Sequence, residues 1–345
     1  MTFAPQARSV MRYFDPELRV DSIVAGKLRR YHHLSVLRQL LWPRLVVMNL
    51  RDSFLVGIGF IQSFLKLVWW RPDVVFTKGG YVCLPVGLAA KLLRIPLVIH
   101  DSDAHPGLTN RILSRWATSI ATGAPLEYYS YPQDKTRYIG IPISADFHEF
   151  SAHARTVARS KWNIEKNRPL IVITGGGLGA QRINNAVVNV LPQLLKLGSV
   201  VLVAGSAQYD ELAALTPDNS THFQLHPFIS DGMAGLLGAA DVVVARAGAT
   251  TMLELAALAK PTILIPNAKL TGGHQIKNAK VYSDAKAVVV VDEDEMEQNR
   301  GVLVSAVRAI LEDPELQRRL AKNVSVFARP NAARDMSDMI IDAVR

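Results

Sequence analysis

The sequence predicts an α/β protein of two units, each a parallel β-sheet covered by helices. Three observations carry that prediction. Short Val/Ile-rich runs bounded by Pro or Gly alternate with helical patterns, as in strands buried on both faces. The chain has 345 residues, beyond the size at which one core usually stops growing. The polar stretch from Ile141 to Arg168, rich in Lys, Arg and His after Gly140-Ile-Pro142, interrupts the alternation and reads as a linker. The boundary is therefore expected at about residue 143, between units 1–142 and 143–329.

Taken in order, residues 1–72 are basic and apolar together. They hold eleven Lys/Arg against four Asp/Glu, which accounts for seven of the net nine positive charges. Trp42, Phe54, Phe60, Phe64, Trp69 and Trp70 are interspersed with Lys27, Arg29, Arg30, Arg38, Arg44, Arg51 and Lys66. Rows of Leu, Val and Ile beside Trp and Arg favour a helix lying on an anionic membrane through residues 27–70 over a nucleic-acid surface. A helix packed on the core with a solvated basic face is the competing reading of residues 53–70. Gln62, Ser63 and Lys66 break the apolar run, so a membrane span is not expected.

The first unit then takes strands at 73–77, 96–100, 118–122 and 137–140, with helices near 84–94 and 107–116. The second takes strands at 169–174, 199–204, 241–245, 261–265 and 286–291, with helices near 180–197, 250–259, 273–284, 300–312 and 314–329. A last helix over 331–344, after Arg329-Pro330, is expected to return to the first unit, so that 330–345 belongs with it. The single cysteine, Cys83, excludes an intramolecular disulfide and reads as a small core residue. No charged-then-apolar leader opens the chain, and the expectation is a cytoplasmic protein.

Chemistry concentrates at two glycine turns. Ala240-Asp-Val-Val-Val-Ala-Arg-Ala-Gly-Ala-Thr-Thr-Met-Leu-Glu254 is a strand running through a turn into a helix, the place where α/β proteins hold phosphates. The turn contains Arg246 and Gly248. The turn runs on through Ala249, the helix is expected from Thr250, and the free amides are assigned to Thr250, Thr251, Met252 and Leu253. Glu254, one turn in, suits a ribose hydroxyl pair. The second turn is Gly175-Gly-Gly-Leu-Gly179, whose residues let backbone amides approach an anion. It lacks the Lys and Ser/Thr of a P-loop, and no acidic residue closes a following strand as a dinucleotide fold requires. Together the two turns suit a nucleotide better than either alone.

Other candidates keep two readings each. His100 and Asp101 end a strand and either act as base or orient the acceptor, or are structural hydrogen-bonders. Asp101-Ser-Asp103 has the spacing of a metal-bridging Asp-x-Asp, but two glycine turns already serve a diphosphate, so no metal is expected. Asp292-Glu-Asp-Glu295 reads as a solvated loop.

These residues resemble the MurG family, membrane-associated transferases of N-acetylglucosamine from UDP-GlcNAc to undecaprenyl-pyrophosphoryl-MurNAc-pentapeptide. The resemblance rests on Ala25-Gly-Lys-Leu-Arg-Arg-Tyr31, Arg71 to Tyr81, Ile99-His-Asp-Ser-Asp103 with Gly107-Leu-Thr-Asn110, Gly140-Ile-Pro142, Gly175 to Ala180, Phe228-Ile-Ser-Asp231, Arg246 to Glu254 and Gly273-His-Gln-Ile-Lys-Asn-Ala279. It implies a GT-B type fold, two Rossmann-like domains facing a cleft, with donor on the second and lipid acceptor on the first. It further implies Ile229 beside uracil, Ala249 to Glu254 on diphosphate and ribose, and Gln275 and Asp103 near the sugar. Gly79, Gly80, Tyr81 and Asn110 fall on the acceptor side. Gly177 stands where the family commonly has Ser, and Ser144 where many members have Arg.

The implied reaction is an inverting displacement by the MurNAc 4-hydroxyl, with UDP-GlcNAc as substrate, no cofactor, no nucleic acid partner, and a peripheral position on the cytoplasmic face of the cell membrane. Family members open with a strand, a Gly-Gly-x-Gly-Gly-His loop and a helix that bind acceptor pyrophosphate and supply the proposed base. Residues 1–30 contain no such loop. The expectation is a first domain without its opening strand and glycine-rich loop, the true start lying upstream. Two alternatives stand beside this: another UDP-sugar lipid glycosyltransferase, or a non-catalytic UDP-sugar-binding subunit that needs a partner chain.

Overall fold

A computed structural model describes residue 17 and residues 20–27, 41–177, 179–268 and 273–344. Arg29, Arg30 and Arg38 of the basic segment, and residues 269–272 before His274, lie outside the described residues.

Helix α1 (Pro43–Trp70) is the first element among the described residues, with proline in its first turn and a left-handed Arg71 closing it. One stripe, Leu45, Asp52, Gly59, Ser63 and Leu67, is buried. That stripe, with the partly buried Phe60 and Phe64, meets the first core. The polar residues that break its apolar run have protein partners: Gln62 accepts from the Val24 amide at 2.8 Å, and Lys66 lies 3.4 Å from Asp21. Strands β1 (Val75–Thr77), β2 (Leu97–Asp101), β3 (Ser119–Thr122) and β4 (Thr136–Tyr138) form a parallel sheet in that order. Helices α2 (Cys83–Leu92) and α3 (Leu108–Leu113) are its crossovers.

The second sheet holds β5 (Leu170–Thr174), β6 (Ser199–Val203), β7 (Phe223–His226), β8 (Val242–Ala245), β9 (Thr262–Leu264) and β10 (Val289–Val290), all parallel in the order β10-β9-β8-β5-β6-β7. Strands β5, β6 and β8 are buried throughout, as their continuous Val/Ile/Leu runs require. The expected strands omitted β7. It sits at the sheet edge, and its alternation of Phe223 and Leu225 with Gln224 and His226 lacks the continuous run used to find the others.

Around this sheet lie α4 (Ala152–Lys161), α5 (Gln181–Leu197), α6 (Tyr209–Ala213), α7 (Met233–Ala239), α8 (Ala249–Ala257), α9 (His274–Asp284), α10 (Glu293–Gln298), α11 (Gly301–Glu312) and α12 (Pro314–Ser325). Helix α13 (Ala332–Asp342) places Ala332, Met336 and Met339 in one cluster with Val98, Ala121 and Ile139 of the first sheet region.

Two expectations need correction here. Residues 141–168 are not patternless, because Ser151 caps α4 by accepting from the Ala154 amide, and α4 carries Arg155 and Arg159 onto Asp241 at 2.6 and 2.5 Å. Asp292–Glu295 is not a solvated loop. Asp292 caps α10 by accepting from the Asp294 and Glu295 amides, and Glu293 is buried.

Candidate active site

Strand order fixes where the site lies. The chain runs β5 to β6 to β7 toward one edge and then returns to place β8 on the other side of β5. The carboxyl ends of β5 and β8 thus flank the switch point, where open α/β sheets bind ligands. Both strands lead through glycine turns into helices there. A cavity of about 480 Å³ lies between them, lined by Gly175, Gly176, Gly177, Gly179, Ala180, Gln181, Arg182, Arg246, Gly248, Ala249, Thr250, Thr251, Asn267 and Gln275.

The amides follow from the helix starts. Helix α8 begins at Ala249, and the Met252 amide already donates to the Gly248 carbonyl at 2.9 Å. The free donors are therefore those of Ala249, Thr250 and Thr251. Met252 and Leu253, expected among the free amides, are not available, and their side chains are buried. On α5 the first closed amide is Asn184, donating to the Ala180 carbonyl, which leaves Gln181, Arg182 and Ile183. Gly176 and Gly179 adopt φ of +77° and +73°, and a Cβ on Gly179 would lie 2.5 Å from the Ala204 carbonyl oxygen. Two positive helix ends converge on one concavity, an arrangement suited to a diphosphate.

Arg246 is held by protein partners. Its guanidinium donates to the Ile265 carbonyl at 3.0 Å and is ion-paired with Glu293, and the residue is 7% exposed. It lines the cavity with its guanidinium already engaged by protein groups. Glu293, on the segment expected to be solvated, bridges it to Arg182, which also pairs with Asp294 and Glu297. Glu254 is half-buried, and desolvation raises its pKa. Gln275 is held at the cavity by accepting from the Asn267 amide at 2.8 Å. Ile229 packs on the second core cluster and Ser144 is bonded to exposed Asp146, so neither lines the cavity.

His100 is fully buried, its Nε2 faces the Gly140 carbonyl oxygen at 2.8 Å, and its Nδ1 lies 3.2 Å from Ser102 Oγ. Burial lowers its pKa, so the neutral ring donates from Nε2 and accepts at Nδ1. Both ring nitrogens thus have protein partners, which favours the structural reading of this histidine over the catalytic one. Asp101 is buried as well. It accepts from the Tyr131 hydroxyl at 2.5 Å, and desolvation lifts its pKa to about 6. Asn110 donates to the His100 carbonyl at 3.0 Å. Gly79 and Gly80 have φ of +79° and +87°, and a Cβ on Gly79 would come within 2.9 Å of the Asn110 amide, so glycine lets that turn close on α3. Tyr81 follows this turn and is half-buried.

Asp103 crosses to the second sheet. Its Oδ1 accepts from Asn278 Nδ2 at 2.9 Å, while Asn278 also donates to the Ala247 carbonyl at 3.1 Å and accepts from the Ala104 amide at 2.8 Å. His274 Nδ1 lies 3.5 Å from Asp103 Oδ2. Among the described residues, no group of three or more His, Cys, Asp or Glu is arranged to hold a metal.

Comparison with known proteins agrees with this geometry. The glycosyltransferase family 28 N-terminal domain matches residues 23–122, and the glycosyltransferase family 28 C-terminal domain matches residues 170–336. A relative from Lachnospira eligens, a UDP-N-acetylglucosamine--N-acetylmuramyl-(pentapeptide) pyrophosphoryl-undecaprenol N-acetylglucosamine transferase, is 36% identical over 84% of this chain and 76% of its own length. The Clostridium kluyveri protein of the same name is 34% identical over 81% and 74%. This chain belongs to the MurG family. The crystal structure of Acinetobacter baumannii MurG superposes with a TM-score of 0.73 at 24% identity, covering 99% of this chain and 89% of that one, so the MurG GT-B fold is shared across both sheets. A UDP-GlcNAc 2-epimerase from Neisseria meningitidis, bound to UDP-GlcNAc, has the same fold at a TM-score of 0.59 and 15% identity, over 84% and 81% of the two chains.

Proposed function

We propose that this chain is a hexosyltransferase that moves N-acetylglucosamine from UDP-GlcNAc to a lipid-linked MurNAc-pentapeptide, a step of peptidoglycan precursor synthesis. The observation that supports it most is the cavity at the switch point, where the first turns of α5 and α8 converge. In this reading the diphosphate lies on the amides of Ala249, Thr250 and Thr251 and on the α5 turn. Glu254 takes the ribose hydroxyls, Ile229 borders uracil, and Gln275 and Asp103 flank the sugar. Gly79, Gly80, Tyr81 and Asn110 face the acceptor.

The acceptor hydroxyl displaces UDP with inversion, and the helix ends stabilise the leaving charge without calling for a metal. Asp101, at the carboxyl end of β2 beside His100, is our candidate for the proton acceptor on its position, and burial raises its pKa to about 6. Residues 1–142 with 330–345 form the acceptor unit and 143–329 the donor unit, a division supported by the packing of α13. The exposed apolar face of α1 seats the protein peripherally on an anionic cytoplasmic leaflet, where an undecaprenyl-linked acceptor resides.

Calorimetric titration with UDP-GlcNAc, with UDP-glucose and ADP-ribose as controls, tests the donor assignment. Selective binding of UDP-GlcNAc is expected, and Glu254→Ala should weaken it by about 1.5–3 kcal/mol, the value of a hydrogen bond to a charged group. No binding of any uridine nucleotide would refute the reading, and an unchanged Glu254→Ala affinity would remove the ribose role.

A further inference from the structure

The ion cluster beside the cavity has no part in the donor contacts just described. Arg182 lies in the first turn of α5, directly after the glycine turn, and lines the cavity. Its guanidinium pairs with Glu293, Asp294 and Glu297, all on α10, and Glu293 is shared with Arg246. Three carboxylates thus meet two guanidinium groups, leaving a net negative charge beside a concavity whose helix ends favour anions.

The three carboxylates are not equivalent. The Glu293 side chain is 2% exposed, whereas those of Asp294 and Glu297 are 62% and 47% exposed. Parting Arg182 from Glu293 would leave that buried carboxylate with Arg246 as its remaining guanidinium partner, a larger loss than parting an exposed pair. Parting it from Asp294 and Glu297 costs little, because water and salt replace an exposed ion pair. The guanidinium fork matches a phosphate as well as a carboxylate.

We propose that α10 is a counter-charge to the donor nucleotide: Asp294 and Glu297 hold Arg182 in the free protein and yield it to the diphosphate on binding, with Glu293 as the pivot. Competition of this kind weakens nucleotide binding and speeds departure of UDP after transfer. The proposal rests on the donor-site reading above.

The test is calorimetric titration at low salt with UDP, and with uridine as the phosphate-free control. The proteins are the wild type, Asp294→Asn/Glu297→Gln, Arg182→Gln, Arg182→Lys and the triple variant combining Arg182→Gln with both neutralisations. Neutralising the two exposed carboxylates is expected to tighten UDP about three- to tenfold and leave uridine unchanged, with the gain reduced to less than half in the triple variant. Arg182→Gln should weaken UDP about tenfold, and Arg182→Lys, which keeps charge without the fork, should fall between. An equal gain with and without Arg182, an equal gain for uridine, or unaltered UDP affinity in both Arg182 variants overturns the proposal. If the wild type binds UDP and Glu254→Ala weakens it while the cluster variants all match wild type, only the counter-charge fails. If the wild type binds no UDP, the donor-site reading falls and takes the counter-charge with it.

Discussion

Burial holds the Asp101 carboxyl at a pKa of about 6, above the ordinary 3.8, against the opposing pull of Tyr131, Asn110 and the Gly107 amide. A carboxyl raised in this way binds its proton more tightly in the folded state than in the unfolded state. Its stabilisation is complete below pH 3.8 and is lost as pH rises through about 6. Asp101→Asn, which cannot ionise and still accepts from Tyr131, should therefore raise stability at pH 7 by about 1–3 kcal/mol and flatten the pH dependence between those values. Melting temperatures across that range check it, and a variant less stable at pH 7 would show that the ionised carboxylate outweighs its burial. If Asp101 is the proton acceptor, the same substitution abolishes turnover while UDP-GlcNAc affinity holds. Gly177 offers a change of opposite sense. It lines the cavity, and a Cβ there would meet nothing within 4 Å. Gly177→Ser should add a hydroxyl contact to the diphosphate and tighten UDP by about 0.5–1.5 kcal/mol, measured by the same titration. Unchanged affinity would place the diphosphate away from that turn.

Among the elements, α1 makes the clearest prediction because its two faces differ. Its buried stripe is tied to the first core and to residues 21–24, whereas Phe54 and Trp69 on its outer surface are 71% and 74% exposed. Phe54→Gln/Trp69→Gln should weaken binding to vesicles of anionic phospholipid by tenfold or more, since each aromatic buried is worth roughly 1.5–3 kcal/mol. The melting temperature should barely move. Equal vesicle binding by the variant and the wild type would show that this face does not meet the membrane. The elements also differ in how legible they are from sequence. β5 and β8 declare themselves as continuous apolar runs, whereas either glycine turn alone reads equally well as an ordinary strand-to-helix turn until both are seen to line one cavity. The position of α8 is read one residue late, since only the Met252–Gly248 bond reveals which amides are free. Helix α10 is hidden because an acidic run looks solvated until Arg246 and Arg182 approach it from 47 and 111 residues away in sequence. His100 is ambiguous in sequence for the converse reason. A histidine at a strand end keeps a catalytic and a structural reading until its partner, the Gly140 carbonyl 40 residues on, favours the structural one.

At the scale of the whole molecule, the two units share an apolar seam in which Ala104, Ala124, Tyr128 and Tyr129 of the first cluster with Ala247, Met252, Tyr282 and Phe327 of the second. Arg329 stacks on Tyr138 at 4.0 Å and fills the space that glycine leaves at Gly140, whose carbonyl His100 holds. The polar bridge is Asn278. Its amide connects Asp103 and Ala104 of the first unit to Ala247 in the donor turn, using both donors and its acceptor in a buried place. Asn278 thus ties the first unit to the turn that presents the α8 amides, beside the Asp103–His274 contact. Asn278→Ala removes all three hydrogen bonds and leaves the Ala104 amide and the Ala247 carbonyl without that partner, a loss of about 1–3 kcal/mol for each stranded group. The expected outcome is a larger radius of gyration by small-angle scattering and a turnover number that falls at least tenfold, while UDP affinity changes less than threefold because the diphosphate amides lie within the second unit. A parallel loss of UDP affinity and turnover, without expansion, would instead make Asn278 a local support of the donor turn and leave the closure of the cleft to Arg329 and Gly140.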